Sequence, residues 1–441
     1  MKNTYMETCN RVIEILKSST GKDSLLLEKI DAEQFRPEGR PLIGDLGDYA
    51  PFVYWAGKSY KNDDWIEWSL NQAKSSLRFQ DREGFFKISN IQDLNSQSDA
   101  FLGLNLMYLL SKDADLLEAA KRFASNLKDL SSGGFIPVQV LPGGIKAPLS
   151  MPSYSGLYIE ELCNLYSITK EKHWLELAET MGYSWVNSSF FSEMGLFSFQ
   201  RLGNRIFEVP LNIVLGSRKL NLNTAMTMKG NTNMAFGLLR LYFLTNNDIF
   251  AAALEKWRVG VLSKLKIGDV FGSFWDGSSK QSSLASNHAM IDIFIQFEKL
   301  SKGSIEIAKR CADAWLAKMK NGLVPEGFSE SVYLFDRGIY VNKNISRLDS
   351  QTDFAVILLK LYKECGDRKY LEAAKTLVKS VISQHSYKEA FCEFVNVESL
   401  EKSGFLIESK YIALLLKPLL LLEGLDDREN INQYFFIARD R

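Results

Sequence analysis

Ser98-Asp99-Ala100-Phe101-Leu102-Gly103-Leu104-Asn105-Leu106-Met107-Tyr108-Leu109-Leu110 is followed by the polar break Ser111-Lys112-Asp113 and then by Leu117-Glu118-Ala119-Ala120. Leu102, Leu106, Leu109 and Leu110 stand at i, i+4, i+7 and i+8, which is one face of an α-helix. The stretch therefore predicts a helical hairpin. The same unit returns at Asp353-Phe354, ends its first helix at Leu361-Tyr362, turns on Gly366-Asp367-Arg368 and resumes at Tyr370-Leu371-Glu372-Ala373-Ala374. Weaker copies begin near Asp48, Ser153, Asn231 and Asn287, with Trp65 and Trp68, Trp174 and Trp185, Trp257, and Trp315 in their second helices. A seventh start lies at Ser409-Lys410-Tyr411, and its natural partner is the N-terminal helix around Thr4 and Leu16.

Between hairpins a glycine is followed by an aromatic or aliphatic residue. The pairs are Gly84-Phe85, Gly134-Phe135, Gly195-Leu196, Gly272-Ser273-Phe274, Gly322-Leu323 and Gly404-Phe405. Glycine after a helix suits a left-handed C-cap. The copies recur at a period of roughly 50–75 residues, longer than the ~34 of tetratricopeptide units. The surplus lies in loops, the longest being 133–152 and 192–230, and long loops in a compact fold tend to carry function. These features predict an all-α (α/α)6 toroid of helical hairpins, possibly (α/α)7. It would be one domain over 1–441, with the N-terminal helix packed on the C-terminal one.

The 53 acidic and 53 basic side chains cancel. A non-specific nucleic-acid binder carries a basic excess, so no nucleic-acid partner is expected. The most apolar run, 412–422, is roughly eleven residues long and contains Lys417 and Pro418, against the ~20 needed to span a bilayer. The N-terminus reads as a charged helix rather than a secretory signal. The five cysteines are scattered without a CxxC pair, so free thiols and a cytoplasmic location are expected, with no membrane partner. No metal-ligand motif or phosphate loop appears, and no cofactor is expected.

In a toroid of this kind the first helix of each hairpin lines the bore, and the polar residues at its start converge on one mouth. Those positions hold Asp45, Asp48, Asp99, Tyr154, Glu160, Asn231, Asn233, Asn287, His288, Asp349, Asp353, Glu408 and Lys410, rimmed by Trp55, Phe274 and Trp275. Aromatic faces with carboxylates and amides are the surfaces that sugars bind. Asp, Asn and Ser are also the preferred N-caps, which competes with a binding role. Asp99 and Asp353 stand apart because Ser96-Gln97-Ser98 and Ser350-Gln351-Thr352 already supply caps upstream. The expected substrate-binding set is Trp55, Tyr154, Asn231, Asn287, Asp349, Asp353, Trp275 and Lys410.

This pattern resembles the six-hairpin glycosidase superfamily, most nearly the unsaturated glucuronyl hydrolases and the N-acylglucosamine 2-epimerase-like barrels. Gly44-Asp45-Leu46-Gly47-Asp48-Tyr49 looks like the family's His-Asp-x-Gly-Phe segment, with Gly44 in place of the His. The stretch beginning Ser98-Asp99-Ala100 looks like the segment of the second family carboxylate. The resemblance implies a glycoside hydrolase acting on uronic-acid-containing oligosaccharides, with Asp99 as general acid/base assisted by Asp45 or Asp48. A carboxyl kept neutral would hydrate an enol ether, and the glycosidic bond would then break.

Three alternatives compete. An epimerase would use His288, with Asp292 at i+4 orienting it. A lyase would use Tyr154, Tyr411 or His288 as base, with Arg201, Arg205 or Arg347 on the uronate. A non-enzymatic helical-repeat scaffold would need smooth faces and short loops. Of the other histidines, His173 begins an outer helix and His385 ends one, where the helix dipole favours the cation.

Overall fold

Hydrophobic periodicity gives alternating inner and outer helices, and the turns that join them repeat one local solution. A computed structural model describes residues 5–87, 92–141, 144–147, 149–198, 201–202, 225–226, 230–275, 281–334 and 338–424. Helix α1 is Met6–Ser18, and the hairpins that follow are α2 (Ala50–Tyr60) with α3 (Asp63–Ser76), α4 (Ser98–Ser111) with α5 (Ala114–Leu130), and α6 (Pro152–Thr169) with α7 (Lys172–Val186). After the short α8 (Ser189–Met194) come α9 (Thr232–Thr245) with α10 (Asp248–Lys264), α11 (Leu284–Phe297) with α12 (Ser304–Leu316), and α13 (Leu348–Cys365) with α14 (Arg368–Gln384). The described chain ends in α15 (Ser409–Leu414) and α16 (Leu416–Leu422).

Most inner helices end on a left-handed residue, namely Lys61, Lys112, Lys170, Asn246 or Gly366. In four of these turns the next residue, Asn62, Asp113, Asn247 or Asp367, caps the outer helix through its side chain. A two-residue turn of this kind forces the helices antiparallel.

The inner helices touch in the order α2, α4, α6, α9, α11, α13, and α15–α16 closes the circle between α13 and α2. Helix α1 packs outside α15, and the Tyr5 N–H donates to the Glu423 carboxylate across the termini (2.6 Å). The seventh start therefore supplies the closing pair, so seven inner segments line the ring among the described residues. A small antiparallel sheet of Leu27–Asp31, Arg36–Pro41 and Leu406–Glu408 ties the two ends together, with Lys29 opposite Glu408. No described helix is long and apolar enough to cross a membrane.

The glycine marks do something other than end helices. Of them only Gly195 is a helix C-cap. Gly84 and Gly134 let the chain touch the outer helix of the next hairpin: a Cβ there would lie 2.5 Å from the Arg122 carbonyl and 2.3 Å from that of Thr180. Two residues beyond Gly84, Gly134, Gly195 and Gly322, and at Phe271 just before Gly272, the backbone is gripped by a polar side chain from the start of the next inner helix. Gln97 accepts from the Phe86 N–H (2.8 Å). Asn231 accepts from Phe197 N–H (2.8 Å) and donates to its carbonyl (3.1 Å). Gln351 does the same to Val324 (2.8 and 2.7 Å), and Asn287 to Phe271 (2.7 and 2.9 Å). In the α6 hairpin the Tyr154 hydroxyl takes this place, donating to the Ile136 carbonyl (3.0 Å).

All five gripping side chains are at most 1% exposed. Each two-point amide clamp satisfies a buried donor and acceptor; losing Gln351 removes the partner of both Val324 groups, whereas the Phe271 carbonyl also accepts from the Ser282 hydroxyl (2.7 Å). Gln351→Ala is expected to cost about 2–4 kcal/mol in chemical denaturation. Replacing half-buried Asn233, which makes one bond to the Ser153 carbonyl, is expected to cost less than about 1.5 kcal/mol.

Candidate active site

The clamps orient the first turn of each inner helix, and the next polar residues face the mouth. Asp99 follows Gln97 by two residues, as Asp353 follows Gln351, and both carboxylates are half-buried. The approach to α2 makes a 3-10 turn, Leu46–Asp48, that lies directly on α4. Glycine on both sides permits this. A Cβ on Gly47 would meet the Asp99 carbonyl at 2.7 Å, and one on Gly103 would meet the Gly47 nitrogen at 2.7 Å. The close crossing brings Asp45, Asp48 and Asp99 together, with carboxylate oxygens all within 4.8 Å of one another.

Lys410 at the start of α15 enters the same group. Its ammonium lies 2.8 Å from Asp45 and 3.7 Å from Glu408. Burial alone would lower the Lys410 pKa, but Asp45, Asp48 and Glu408 outweigh it and hold the amine firmly protonated. The three carboxylates also have the spacing of a cation site. Here Lys410 supplies the positive charge from within the chain.

Burial pushes the Asp48 carboxyl above its ordinary range. Lys417 and Lys410 oppose the rise, and Asp45 and Asp353 add to it. Asp48 is thus the member of the group disposed to keep a proton, beside carboxylates that can take one.

Deeper in the bore, His288 Nε2 lies 3.9 Å from Asp353. Burial lowers the imidazole pKa against the pull of Asp353 and Asp292, so the ring is biased to neutral. The expected i+4 partner, Asp292, instead makes an ion pair with Lys360 (2.6 Å) and accepts from Gln296 (3.3 Å). Below it, burial raises Glu160 to about 7 and Glu161 to about 8. Glu161 accepts from Asn105 (2.8 Å) and Asn164 (3.2 Å).

Several expected binding residues sit elsewhere. Trp55 is 2% exposed, in a helix buried on every residue from Ala50 to Gly57, so it belongs to the core rather than the rim. Tyr154 is fully buried as a clamp, and burial drives its phenol pKa upward, which removes it as a base. Asn231 and Asn287 are clamps with no exposure. Asp349 is held 3.0 Å from Arg347, and Arg347 also pairs with Glu393 (3.3 Å) and donates to the Tyr411 hydroxyl (2.5 Å). Arg347 is 1% exposed, so this arginine is committed inside the protein rather than offered to a uronate. The Arg201 side chain and Arg205 lie outside the described residues.

Phe274 and Trp275 are half-buried on a short strand paired with Ala225–Met226. His173 is at the surface, 3.6 Å from Glu171. His385 is buried between Ser346 and the Cys392 carbonyl, and burial lowers its pKa to about 4. It is therefore neutral, contrary to the cation favoured by a helix C-terminus. Lys417, whose ammonium lies 4.6 Å from the Phe52 ring centre, had no sequence signal beyond its place in an apolar run.

No family model matches the sequence, and no curated protein matches it. Solved structures match by shape. The α-1,2-mannosidase from Trichoderma reesei superposes with a TM-score of 0.70 at 14% identity, covering 96% of this chain and 94% of its own. The chain has the same closed (α/α) barrel fold. Cellobiose 2-epimerase from Spirochaeta thermophila gives 0.58 at 13% identity, over 79% of this chain and 92% of the epimerase. Unsaturated glucuronyl hydrolase from Bacillus sp. GL1, described as responsible for the degradation of glycosaminoglycan, gives 0.52 at 14%, over 88% and 97%.

The buried acids have a consequence for stability. Folded Glu161 keeps a proton up to about 8 that the unfolded chain releases near 4.5. The folded state therefore binds more protons across that window, and this contribution to stability falls as pH rises through it. Glu161→Gln imitates the protonated acid. Relative to the parent, it is expected to gain on the order of 2 kcal/mol at pH 8.5 and almost nothing at pH 5, read from urea denaturation at the two pH values.

Proposed function

We propose that this chain is a carbohydrate-active enzyme, a glycoside hydrolase acting on uronic-acid-containing oligosaccharides through carboxylate acid/base catalysis. The observation that carries the reading is the group Asp45, Asp48 and Asp99, which close glycine packing forces together and in which Asp48 is driven towards its neutral form. The role of proton donor therefore moves from Asp99 to Asp48. Asp99, the second residue of α4, is the carboxylate that accepts a proton from water. Asp45 pairs with Lys410 and adds to the rise at Asp48.

On an unsaturated uronide, Asp48 protonates the carbon–carbon double bond and Asp99 deprotonates the water that adds to the adjacent carbon. The hemiketal so formed opens to a ketone by breaking its bond to the ring oxygen, which leaves a hemiacetal at the anomeric carbon. That hemiacetal collapses to the aldehyde and releases the glycosidic oxygen as an alcohol, and Asp48 recovers its proton from solvent or from Asp99. Each positioned transfer contributes about 10²–10⁴ in rate. Lys417, whose charge acts on both Asp48 and His288, supplies positive charge near the mouth for a substrate carboxylate.

A second reading has its own observation. His288, biased to neutral and 3.9 Å from Asp353, has the make-up of a proton-transfer pair for a sugar epimerase. The fold is shared by hydrolases and an epimerase, so fold alone does not choose between them. The hydrolase reading is preferred because the other two histidines lie outside the bore.

The test is the loss of ultraviolet absorbance when unsaturated uronic-acid disaccharides are mixed with the purified protein. The parent is expected to consume the double bond. Asp48→Asn and Asp99→Asn are each expected to lower kcat at least 10²-fold with the thermal midpoint kept within a few degrees. Conversion of a reducing sugar to its 2-epimer, lost in His288→Asn and intact in Asp48→Asn, would overturn the hydrolase reading in favour of the epimerase.

A further inference from the structure

The mouth gathers acids, and a uronate chain lying across it needs its remaining charge met elsewhere. Asp45, Asp48, Asp99, Asp353 and Glu408 face that region, and Lys410 is already engaged by Asp45 and Glu408. A separate pocket of about 310 Å³ is lined by Lys318, Lys320 and Lys343 around Phe328 and Asn344. Its wall leans on the segments that lead into the bore. The Phe328 N–H donates to the Ser282 carbonyl (3.0 Å), just before α11, and the Glu326 N–H donates to the Ile345 carbonyl (2.6 Å), just before α13.

The three lysines do not share one origin. Lys318 and Lys320 follow the C-terminus of α12, where the helix dipole alone favours cations. Lys343 arrives on another turn, and it is brought in by Gly327. A Cβ at position 327 would lie 2.2 Å from the Glu330 carbonyl and 3.0 Å from the Lys343 Cα. Glu398, near the edge, is taken up by Lys320 and by the Asn344 amide (2.9 Å). Lys318 sits over the Phe328 ring, 4.8 Å from its centre. The result is an apolar floor with two further ammonium groups, those of Lys318 and Lys343, in a protein whose total charge is zero. A pyranose ring with an attached carboxylate matches those features, its C–H face on the apolar floor and its charge towards the ammonium groups.

We propose that this pocket is an accessory subsite that binds a uronate residue of a longer acidic sugar chain whose scissile unit occupies the mouth. The proposal rests on the carbohydrate reading above. It makes charge recognition a property of the rim and leaves proton transfer to the acids.

The test is calorimetric binding of a saturated tetrasaccharide containing two glucuronate residues, with a neutral tetrasaccharide as control. It is run on the parent, on Asp48→Asn and on the double variant Lys318→Gln/Lys343→Gln. Asp48→Asn should bind the acidic chain as the parent does. The double variant should bind it about tenfold more weakly and with a shallower salt dependence, while still consuming the unsaturated disaccharide at the parental rate. Equal binding by parent and double variant, no binding by the parent, or an equal loss for the neutral chain would each overturn the subsite. Absence of turnover with lysine-dependent binding intact would count against the hydrolase reading alone.

Discussion

A buried side-chain amide gripping both the N–H and the C=O of one residue in the neighbouring connection is the contact on which the rest of the ring depends. The connections between hairpins run inward as short extended segments with no continuous sheet beside them. Their backbone groups are buried, so each must be paired from outside the segment. Asn231, Asn287 and Gln351 do so with a matched donor and acceptor, Gln97 with an acceptor, and Tyr154 with a hydroxyl. Since the gripping residue stands at the start of an inner helix, the same contact sets where that helix begins and how it is rotated. Asp99 and Asp353 inherit their positions from it.

This explains which part of the site could be read from sequence. The repeat, its antiparallel hairpins and the closure by Ser409-Lys410-Tyr411 against the N-terminal helix all follow from apolar periodicity, which burial enforces at every turn. Asp99 and Asp353, which have caps upstream of them in the sequence, are half-buried in the structure. The amides were harder. Asn231 and Asn287 have the composition of ligand-binding residues, and nothing local distinguishes an amide facing a sugar from one facing a carbonyl 34 or 16 residues away. The meeting of Asp48 with Asp99 depends on Gly47 crossing Gly103, a contact between two hairpins that no periodicity encodes. One signal was present: Gly103 lies one helical turn beyond Asp99, so a missing side chain marks the same face.

The zero net charge conceals a strong internal segregation. Carboxylates converge at the mouth and below it, where Glu160 and Glu161 are pushed to about 7 and about 8 by burial. Cations that might have neutralised a substrate are drawn into fixed pairs, Arg347 with Asp349 and Glu393, and Lys360 with Asp292. Such pairs cost desolvation and return specificity of arrangement more than stability. A half-buried carboxyl among like charges, with a lysine fixed on one of them, is the electrostatic setting in which a proton is retained near neutrality.

The most direct measurement of that setting is a carbon-13 titration of the aspartate carboxyl groups, comparing the parent with Asp48→Asn. The account requires one resonance that titrates clearly above the ordinary aspartate range and disappears in the variant. If every aspartate titrates at or below that range, or the elevated resonance survives the substitution, Asp48 is not the proton donor and the assignment of chemistry to this carboxylate group fails.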